Sequence, residues 1–221
     1  MNHDQGWDWH RALAEMPGRW SEVADELFSF TNQMRQANCR RVYDLGCGAG
    51  RHSVFLAQQG FEVTSSDISE SAIETTGKNL AAAGVSATLR RLDMADWPFD
   101  DAHFDAVIAF NVVYHATRSE VEAVLAQVHR VLAPGGLLFI TFKSTLDQQF
   151  GQGVELAPFT WAPNSGIEAG VPHYYVDATE AQRLLRGFTL QSMVLKQELS
   201  IHDSSERHRA HWIVRARKAS A

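Results

Sequence analysis

Residues 41–52, which read RVYDLGCGAGRH, decide the fold of this chain. A short apolar strand, Arg41–Leu45, runs directly into a glycine-rich turn, and residues 51–59 follow with helical periodicity. Glycines let the backbone approach a ligand closely because no side chain is in the way, and here they are Gly46, Gly48 and Gly50. The first turn of the following helix offers unpaired N–H groups. The stretch predicts a strand–turn–helix unit with a ligand at its turn.

From this unit outward, short apolar runs alternate with helical segments, which predicts a βαβ series and a parallel sheet. Thr117 and Glu120 have the spacing of a capping box, as do Ser71 and Glu74. Strands are expected at 41–45, 61–66, 87–92, 104–110, 137–142, 188–199 and 211–217. Helices are expected at 20–35, 51–59, 71–83, from Thr117 to the Pro134-Gly135-Gly136 stop, and at 179–186 behind an Asp177 cap. The last two strands are close enough along the chain to form an antiparallel hairpin.

The spacing of the glycines separates two ligand classes. A dinucleotide-binding turn reads G-x-G-x-x-G, whereas this turn reads G-x-G-x-G and has Arg51 where the third glycine would stand. No G-K-[ST] ending follows, which excludes a P-loop. Asp67 ends the second predicted strand, 21 residues after Gly46, where a carboxylate can accept hydrogen bonds from ribose hydroxyls. A nucleoside ligand without a pyrophosphate fits this pattern.

Four further segments lie in order downstream. They are F-E-V-T-S-S-D-I-S at 61–69, Leu92-Asp93-Met94, the apolar strand from Asp105 to Asn111, and Leu132-Ala133-Pro134-Gly135-Gly136. With D-L-G-C-G-A-G-R-H, this series resembles the motifs of class I S-adenosylmethionine-dependent methyltransferases over roughly residues 40 to 143. The sequence as a whole is similar to tellurite-resistance-like and other small bacterial methyltransferases.

The resemblance implies an α/β, Rossmann-like, doubly wound fold. Its seven-stranded sheet would be mostly parallel with an antiparallel last strand, and helices would cover both faces. S-adenosylmethionine would lie at the carboxyl ends of the first strands, held by Asp44, Gly46, Cys47, Gly48, Gly50, Arg51, Asp67, Ile68, Asp93, Met94, Asn111 and Val112, with Trp20 closing over it. Plainer roles stay open: Cys47 as a packing residue, Arg51 as a solvated helix residue, Asp67 as a helix cap, Asp44 as an acceptor for local backbone donors, and Asp93 as an ordinary loop carboxylate.

Methyl transfer from a sulfonium is a direct displacement, so the protein mainly aligns the acceptor with the methyl group. A general base is needed only when the acceptor holds a proton of high pKa. Candidates for orienting or deprotonating the acceptor are His115, His173 and His211, and candidates for contacting it are Tyr114, Trp161, Tyr174 and Tyr175. Each histidine could instead be solvated or structurally bonded. No metal site is expected, because the spacing of these histidines does not place them on one face.

Asn111 and Tyr114 share the spacing of the N-P-P-Y box of amino methyltransferases, but both prolines are absent. The activity of those enzymes is therefore not carried over to this chain.

Length and composition bound the remaining possibilities. The 221 residues fit one domain, 1–221, with 1–38 as a helical cap and the proline- and glycine-containing segment 143–177 as a substrate lid. A net charge of −6 argues against a nucleic-acid footprint. Two cysteines build neither a disulfide framework nor a four-ligand zinc site. No signal peptide or membrane span is evident, so a cytoplasmic monomer or homodimer acting on a small-molecule acceptor is expected.

Two other functions stay open at this point. One is a nicotinamide-dependent oxidoreductase, against which Arg51 counts, and the other is a noncatalytic protein that binds S-adenosylmethionine.

Overall fold

The computed structural model describes residues 22–202 and 205–219. Ten strands and five helices lie within these ranges. The strands are β1 (Arg41–Leu45), β2 (Glu62–Asp67), β3 (Thr88–Arg91), β4 (Phe104–Ala109), β5 (Leu132–Ser144), β6 (Val154–Ala157), β7 (Thr160–Ala162), β8 (His173–Val176), β9 (Phe188–His202) and β10 (Ser205–Lys218). The helices are α1 (Asp25–Gln36), α2 (Arg51–Gln58), α3 (Glu70–Ala82), α4 (Arg118–Val131) and α5 (Ala178–Leu184).

Seven strands form the sheet that the sequence predicts. Strands β3, β2, β1, β4 and β5 are neighbours in that order and pair in parallel. Strand β10 pairs antiparallel with β5, and β9 pairs antiparallel with β10. The mostly parallel sheet and the antiparallel last strand are confirmed. The order runs outward in both directions from β1 and β4, so their carboxyl ends lie at the topological switch point, where such folds bind ligands.

Three short strands extend this sheet within the segment predicted as a lid. Strand β8 pairs in parallel with the last residues of β5, Lys143 and Ser144. Strands β7 and β6 continue outward from β8 as an antiparallel meander. Sequence periodicity missed them because strands of three or four residues are too short to show an alternating pattern.

Several predicted boundaries are corrected by local hydrogen bonding. Helix α3 begins one residue earlier than predicted and is capped by Ser69, whose hydroxyl accepts from the Ala72 amide, rather than by Ser71. Strand β5 begins at Leu132, because the chain pairs with β4 on both sides of the Pro-Gly-Gly turn, with a register shift there. The capping box of Thr117 and Glu120 and the Asp177 cap are confirmed.

Helices cover both faces of the sheet, as the resemblance implies. On one face, Val121, Val124 and Val128 of α4 pack in a cluster that includes Tyr43 and Val107 from the strands. On the other face, Leu27, Phe30 and Met34 of α1 pack in a cluster with Val42 and Ile108. Residues 107 and 108 enter opposite clusters because successive strand side chains point to opposite faces. Among the described helices, none is long and apolar enough to cross a membrane.

Candidate active site

The glycine-rich turn between β1 and α2 has a backbone that only glycine adopts easily. Gly46, Gly48 and Gly50 have φ values of 67°, 58° and 82°, all in the left-handed region. A Cβ atom on Gly46 would lie 2.2 Å from Cγ2 of Val112, and one on Gly50 would lie 2.6 Å from Cγ2 of Thr76. The alternating glycines therefore serve both the turn geometry and the close packing of neighbouring segments.

Asp67, at the end of β2, is bonded to the glycine turn. Its carboxylate accepts a hydrogen bond of 3.0 Å from the Gly48 amide and one of 2.9 Å from the Ser69 amide. Burial raises the pKa of the Asp67 carboxyl, against the effect of these two amides. The residue thus fixes the turn and the start of α3, and its oxygens lie at the carboxyl edge of the sheet.

Asp44, at the end of β1, is a second carboxylate beside the turn. It is 2% exposed and accepts a 2.6 Å hydrogen bond from the Ser53 hydroxyl. Burial raises the pKa of Asp44 to about 6, while the Ser53 hydrogen bond and the charge of Arg51 work in the other direction. The charge of Asp67 adds to the rise. The turn therefore has two neighbouring carboxylates whose negative charges disfavour each other.

Arg51 and Cys47 also lie at the turn. The Arg51 guanidinium lies 5.5 Å from the centre of the Phe110 ring and is partly buried, so it is not a fully solvated helix residue. Cys47 is buried, with its sulfur 3.7 Å from the Thr76 hydroxyl, and burial raises the pKa of the thiol well above its usual range. A neutral, enclosed thiol of this kind is a packing residue.

The remaining predicted cofactor residues lie beyond β2, β3 and β4. Ile68 directly follows Asp67, and its carbonyl accepts from the side chain of Arg91. The Asp93 carboxylate accepts from the Ala95 amide at 2.9 Å, and Met94 packs partly buried against the core. Asp93 thus bonds within its own loop.

Asn111 follows β4 with a left-handed φ of 55°. The Thr141 hydroxyl accepts from its backbone amide and donates to its side-chain oxygen. Val112 packs against Gly46. Trp20 lies outside the described residues.

A second cluster of side chains comes from the segment after β4, the end of β5, and strands β8 and β10. The ring of His115, just after β4, is 4.9 Å from that of His173 at the start of β8. The ring of Tyr114 is 5.7 Å from that of His211 on β10. The Lys143 ammonium lies over the rings of Tyr114 and Tyr175, at 5.9 and 5.3 Å. The structure therefore brings together all three histidines that the sequence singles out.

The charges of this cluster follow from burial. Burial lowers the pKa of His173 to about 4, although the neighbouring Glu168 opposes the change. Burial and the charge of Lys143 lower the pKa of His211 to about 3. Burial alone would raise the pKa of Glu168, but the imidazoles of His115 and His173 bring it below its usual range. At neutral pH the imidazoles of His173 and His211 are therefore neutral, and the Glu168 carboxylate is ionised.

The predicted acceptor residues divide between two faces of β8. Trp161 lies opposite His173 in the pairing of β7 with β8, and Tyr175 shares the face of His173. Tyr174 points to the other face, where its hydroxyl donates to Glu180 at 2.6 Å. The structure does not bring Tyr174 to the histidine cluster, because alternation along a strand separates it from its neighbours.

Two charged residues of the cluster were missed by the sequence reasoning. Glu168 lies in the loop between β7 and β8, and Lys143 lies near the end of β5. A signal was present: Glu168 is one of only two acidic residues between 148 and 176, and no lysine or arginine occurs between Lys143 and Arg183. Isolated charges in an otherwise aromatic and glycine-rich segment are candidates for a binding site.

Known proteins that are similar in sequence to this chain are methyltransferases. A family model described as a methyltransferase domain matches residues 42–136. The chain is 38% identical over 157 residues to a demethylmenaquinone methyltransferase of Clavibacter sepedonicus, covering 60% of this chain and 61% of that protein. It spans about half the length of the curated relatives it matches.

Two solved structures show the same fold. A SAM-dependent methyltransferase from Methanosarcina mazei has a TM-score of 0.70 at 19% identity, covering 82% of this chain and 93% of that one. The 1,6-didemethyltoxoflavin-N1-methyltransferase of Burkholderia thailandensis, with S-adenosylhomocysteine bound, has a TM-score of 0.64 at 18% identity, covering 96% and 86%. By its ordered motifs, its fold and the domain matched at residues 42–136, the chain is similar to class I S-adenosylmethionine-dependent methyltransferases.

Proposed function

We propose that this protein transfers the methyl group of S-adenosylmethionine to a small-molecule nucleophile by direct displacement. The observation that carries the proposal is the side-chain-free turn at Gly46, Gly48 and Gly50, flanked by the carboxylates of Asp44 and Asp67. This turn lies at the switch point of the sheet, inside the matched methyltransferase domain.

The chemistry of the turn fits this cofactor. S-adenosylmethionine has a cationic sulfonium, an amino group and ribose hydroxyls, and it has no phosphate. Asp44 and Asp67 offer hydrogen-bond acceptors and negative charge. Burial raises the pKa of both carboxyls, so a cationic or hydrogen-bonding ligand would favour their ionised forms. Asp67 would hold the ribose and Asp44 the amino group, while Asp93 and Met94 would hold the adenine. Asn111 and Val112 would lie near the sulfonium.

When bound, the cofactor supplies a methyl group on a leaving group that is already activated. The protein's own task is then to align the acceptor and to exclude water. His173 and His211 are neutral at pH 7, and their low pKa values make them weak bases. They suit the task of orienting a polar acceptor by hydrogen bonding better than that of removing a proton of high pKa.

The acceptor side is built for a compact ligand. Aromatic rings enclose the histidine cluster, with Phe150 lying 5.4 Å from Tyr175 and 6.4 Å from Trp161, centre to centre. The segment 143–177 contributes most of these rings and acts as the lid of the acceptor site. The two methyltransferases named above for demethylmenaquinone and 1,6-didemethyltoxoflavin are named for small molecules, which supports the same class of acceptor here.

Calorimetric titration of S-adenosylmethionine and S-adenosylhomocysteine tests the cofactor site. The wild type is compared with Asp67→Asn, which keeps the volume but loses the charge, and with Glu74→Gln, an exposed change on the helix that follows. We expect both ligands to bind the wild type and Glu74→Gln alike. Affinity for Asp67→Asn should fall at least tenfold, or about 1.4 kcal/mol. No binding by the wild type, or binding of NADH in its place, would overturn the proposal.

Methyl transfer itself is tested with a methyl-labelled cofactor and separate panels of phenols, quinols and thiols. Labelled product from one small-molecule class, absent with protein or RNA as acceptor, is the expected result. Label that enters only protein or RNA would reject a small-molecule acceptor.

A further inference from the structure

The histidine cluster contains three potential metal ligands from three separate parts of the chain. His115 follows β4, Glu168 lies in the loop before β8, and His173 is the first residue of β8. Nε2 of His115 lies 3.7 Å from one carboxylate oxygen of Glu168, and Nε2 of His173 lies 3.6 Å from the other. All three potential ligand atoms lie within 4.8 Å of one another.

These separations suit a shared ion better than direct hydrogen bonds. An N–H···O hydrogen bond places its heavy atoms about 2.7–3.2 Å apart. Two ligand atoms bonded to one zinc ion at about 2.0–2.2 Å in tetrahedral geometry lie about 3.4 Å apart. The observed distances of 3.6 and 3.7 Å are nearer the second arrangement.

Burial gives a second, independent indication of a ligand. His173 is 0% exposed, and within residues 22–202 and 205–219 neither of its ring nitrogens has a hydrogen-bond partner. On the facing strand, the indole nitrogen of Trp161 is likewise buried and without a partner in that part of the chain. Buried polar groups are normally satisfied, so this position calls for a bound group that accepts electron pairs from nitrogen or bridges polar atoms.

The ammonium of Lys143 is a positive charge near the three ligands, and it would repel a bound metal ion. Its ammonium donates to the side-chain oxygen of Gln149 and lies over the faces of Tyr114 and Tyr175. The ion pairs of Glu168 in the described residues are with the two histidines. One carboxylate and two imidazoles therefore form the donor set, which is the His₂Glu combination that zinc and similar ions bind.

We propose that His115, Glu168 and His173 bind one divalent transition-metal ion of the zinc type, with at least one coordination position left for an oxygen, nitrogen or sulfur ligand in the acceptor site. Such an ion would hold the loop before β8 to the segment that follows β4. The site needs no bound S-adenosylmethionine, so its existence does not depend on the proposed methyl transfer.

Cobalt(II) in place of zinc gives a direct test. The full-length protein, freed of metal with a chelator and dialysed, is titrated with CoCl₂ while visible absorption is recorded, and Zn²⁺ binding is measured by calorimetry. We expect one ion per chain and the d–d absorption of a low-coordinate site. Affinity should fall at least about tenfold in Glu168→Gln and in His173→Asn.

His211→Gln is the matched control, because it removes a neighbouring imidazole that is not one of the three ligands. It should bind Co²⁺ like the wild type. Circular dichroism verifies the fold of each variant, and the nearly isosteric Glu168→Gln keeps the test decisive if His173→Asn does not fold. Absence of a cobalt spectrum in the wild type, or equal affinity in Glu168→Gln, would overturn the metal site and leave a carboxylate–imidazole pair. S-adenosylmethionine binding by the same metal-free samples reports separately on the cofactor site.

Discussion

The two halves of the ligand-binding edge differ in how their chemistry is encoded. On the cofactor side, residues 44–50 and 67 are joined by one short βαβ unit, and the turn is specified by glycines that no other residue replaces at low cost. On the acceptor side, the cluster is assembled from residues near positions 115, 143, 168, 173 and 211, which only the folded sheet brings together. A contiguous motif is visible in one sequence, whereas a cluster assembled from distant segments is not.

Gly46→Ala should have the largest effect. Alanine would have to adopt the left-handed backbone of Gly46, and its Cβ would lie 2.2 Å from Cγ2 of Val112. Backbone strain and overpacking would therefore both destabilise the folded state. We expect a loss of roughly 2–5 kcal/mol in the free energy of unfolding, together with loss of cofactor binding. Urea unfolding measures the first quantity and calorimetry the second.

Gly60→Ala provides the control for this substitution. Gly60 also has a positive φ, of 88°, but no other atom lies within 4 Å of its Cβ position among those described. Only the backbone cost of about 1–2 kcal/mol should remain. Adding Val112→Ala to Gly46→Ala should restore part of the stability. Equal losses at Gly46 and Gly60 would show that the close packing of the turn is unimportant.

Buried histidines lie both beside the glycine turn and in the histidine cluster, and His52, on α2, is the one beside the turn. It is 5% exposed, its ring nitrogen accepts from the Ala24 amide, and burial, with the charge of Arg51, lowers its pKa to about 3. An unfolded histidine titrates near 6.5. The folded state therefore binds fewer protons below that pH, so stability is complete above 6.5 and is lost as the pH falls toward 3.

Between pH 7 and 5 this loss amounts to about 2 kcal/mol for His52. Urea unfolding at pH 7 and at pH 5 gives the decrease in unfolding free energy for the wild type and for His52→Gln. The contribution of His52 is the part of the wild-type decrease that is absent from the variant. His208→Gln, at an exposed position on β10, is the control and should keep the full decline. A decline of the same size in His52→Gln would mean that the imidazole is accessible to protons in the folded protein.

Tyr174→Phe separates the two faces of β8. The hydroxyl of Tyr174 donates to Glu180, which also pairs with Arg183 at 2.6 Å. Loss of this one bond should reduce the free energy of unfolding by about 1.5 kcal/mol and leave affinity for S-adenosylmethionine and for Co²⁺ unchanged. In a Glu180→Gln background the same substitution should cost less. Reduced ligand affinity would place Tyr174 in the acceptor site after all.

The alternation of strands and helices, the parallel sheet and the glycine turn could be predicted because each follows from a local pattern that is repeated or long. The capping box at Thr117 and Glu120 is of this kind. Strands β6 to β8 could not be predicted, since they consist of three or four residues whose pairing is not local. Glu168 and Lys143 were missed for a related reason: their chemistry depends on neighbours that lie far away in the chain. The roles of the predicted site residues, the oligomeric state and the lid stay predictions.

The start of α3 shows, within a single helical turn, the same difference between a local sequence pattern and contacts made in the folded chain. The substitutions there should have the smallest effect on stability. Ser71 and Glu74 have capping-box spacing, yet Ser69 caps the helix, because Asp67 binds the Ser69 amide and thereby positions the Ser69 hydroxyl against the Ala72 amide. Ser69→Ala should therefore cost about 1 kcal/mol of unfolding free energy. Ser71→Ala, which loses only a hydroxyl pair with Ser69, should cost less than about 0.5 kcal/mol. The reverse order in thermal or urea unfolding would mean that the local sequence pattern, rather than the carboxylate at the end of β2, determines where the helix begins.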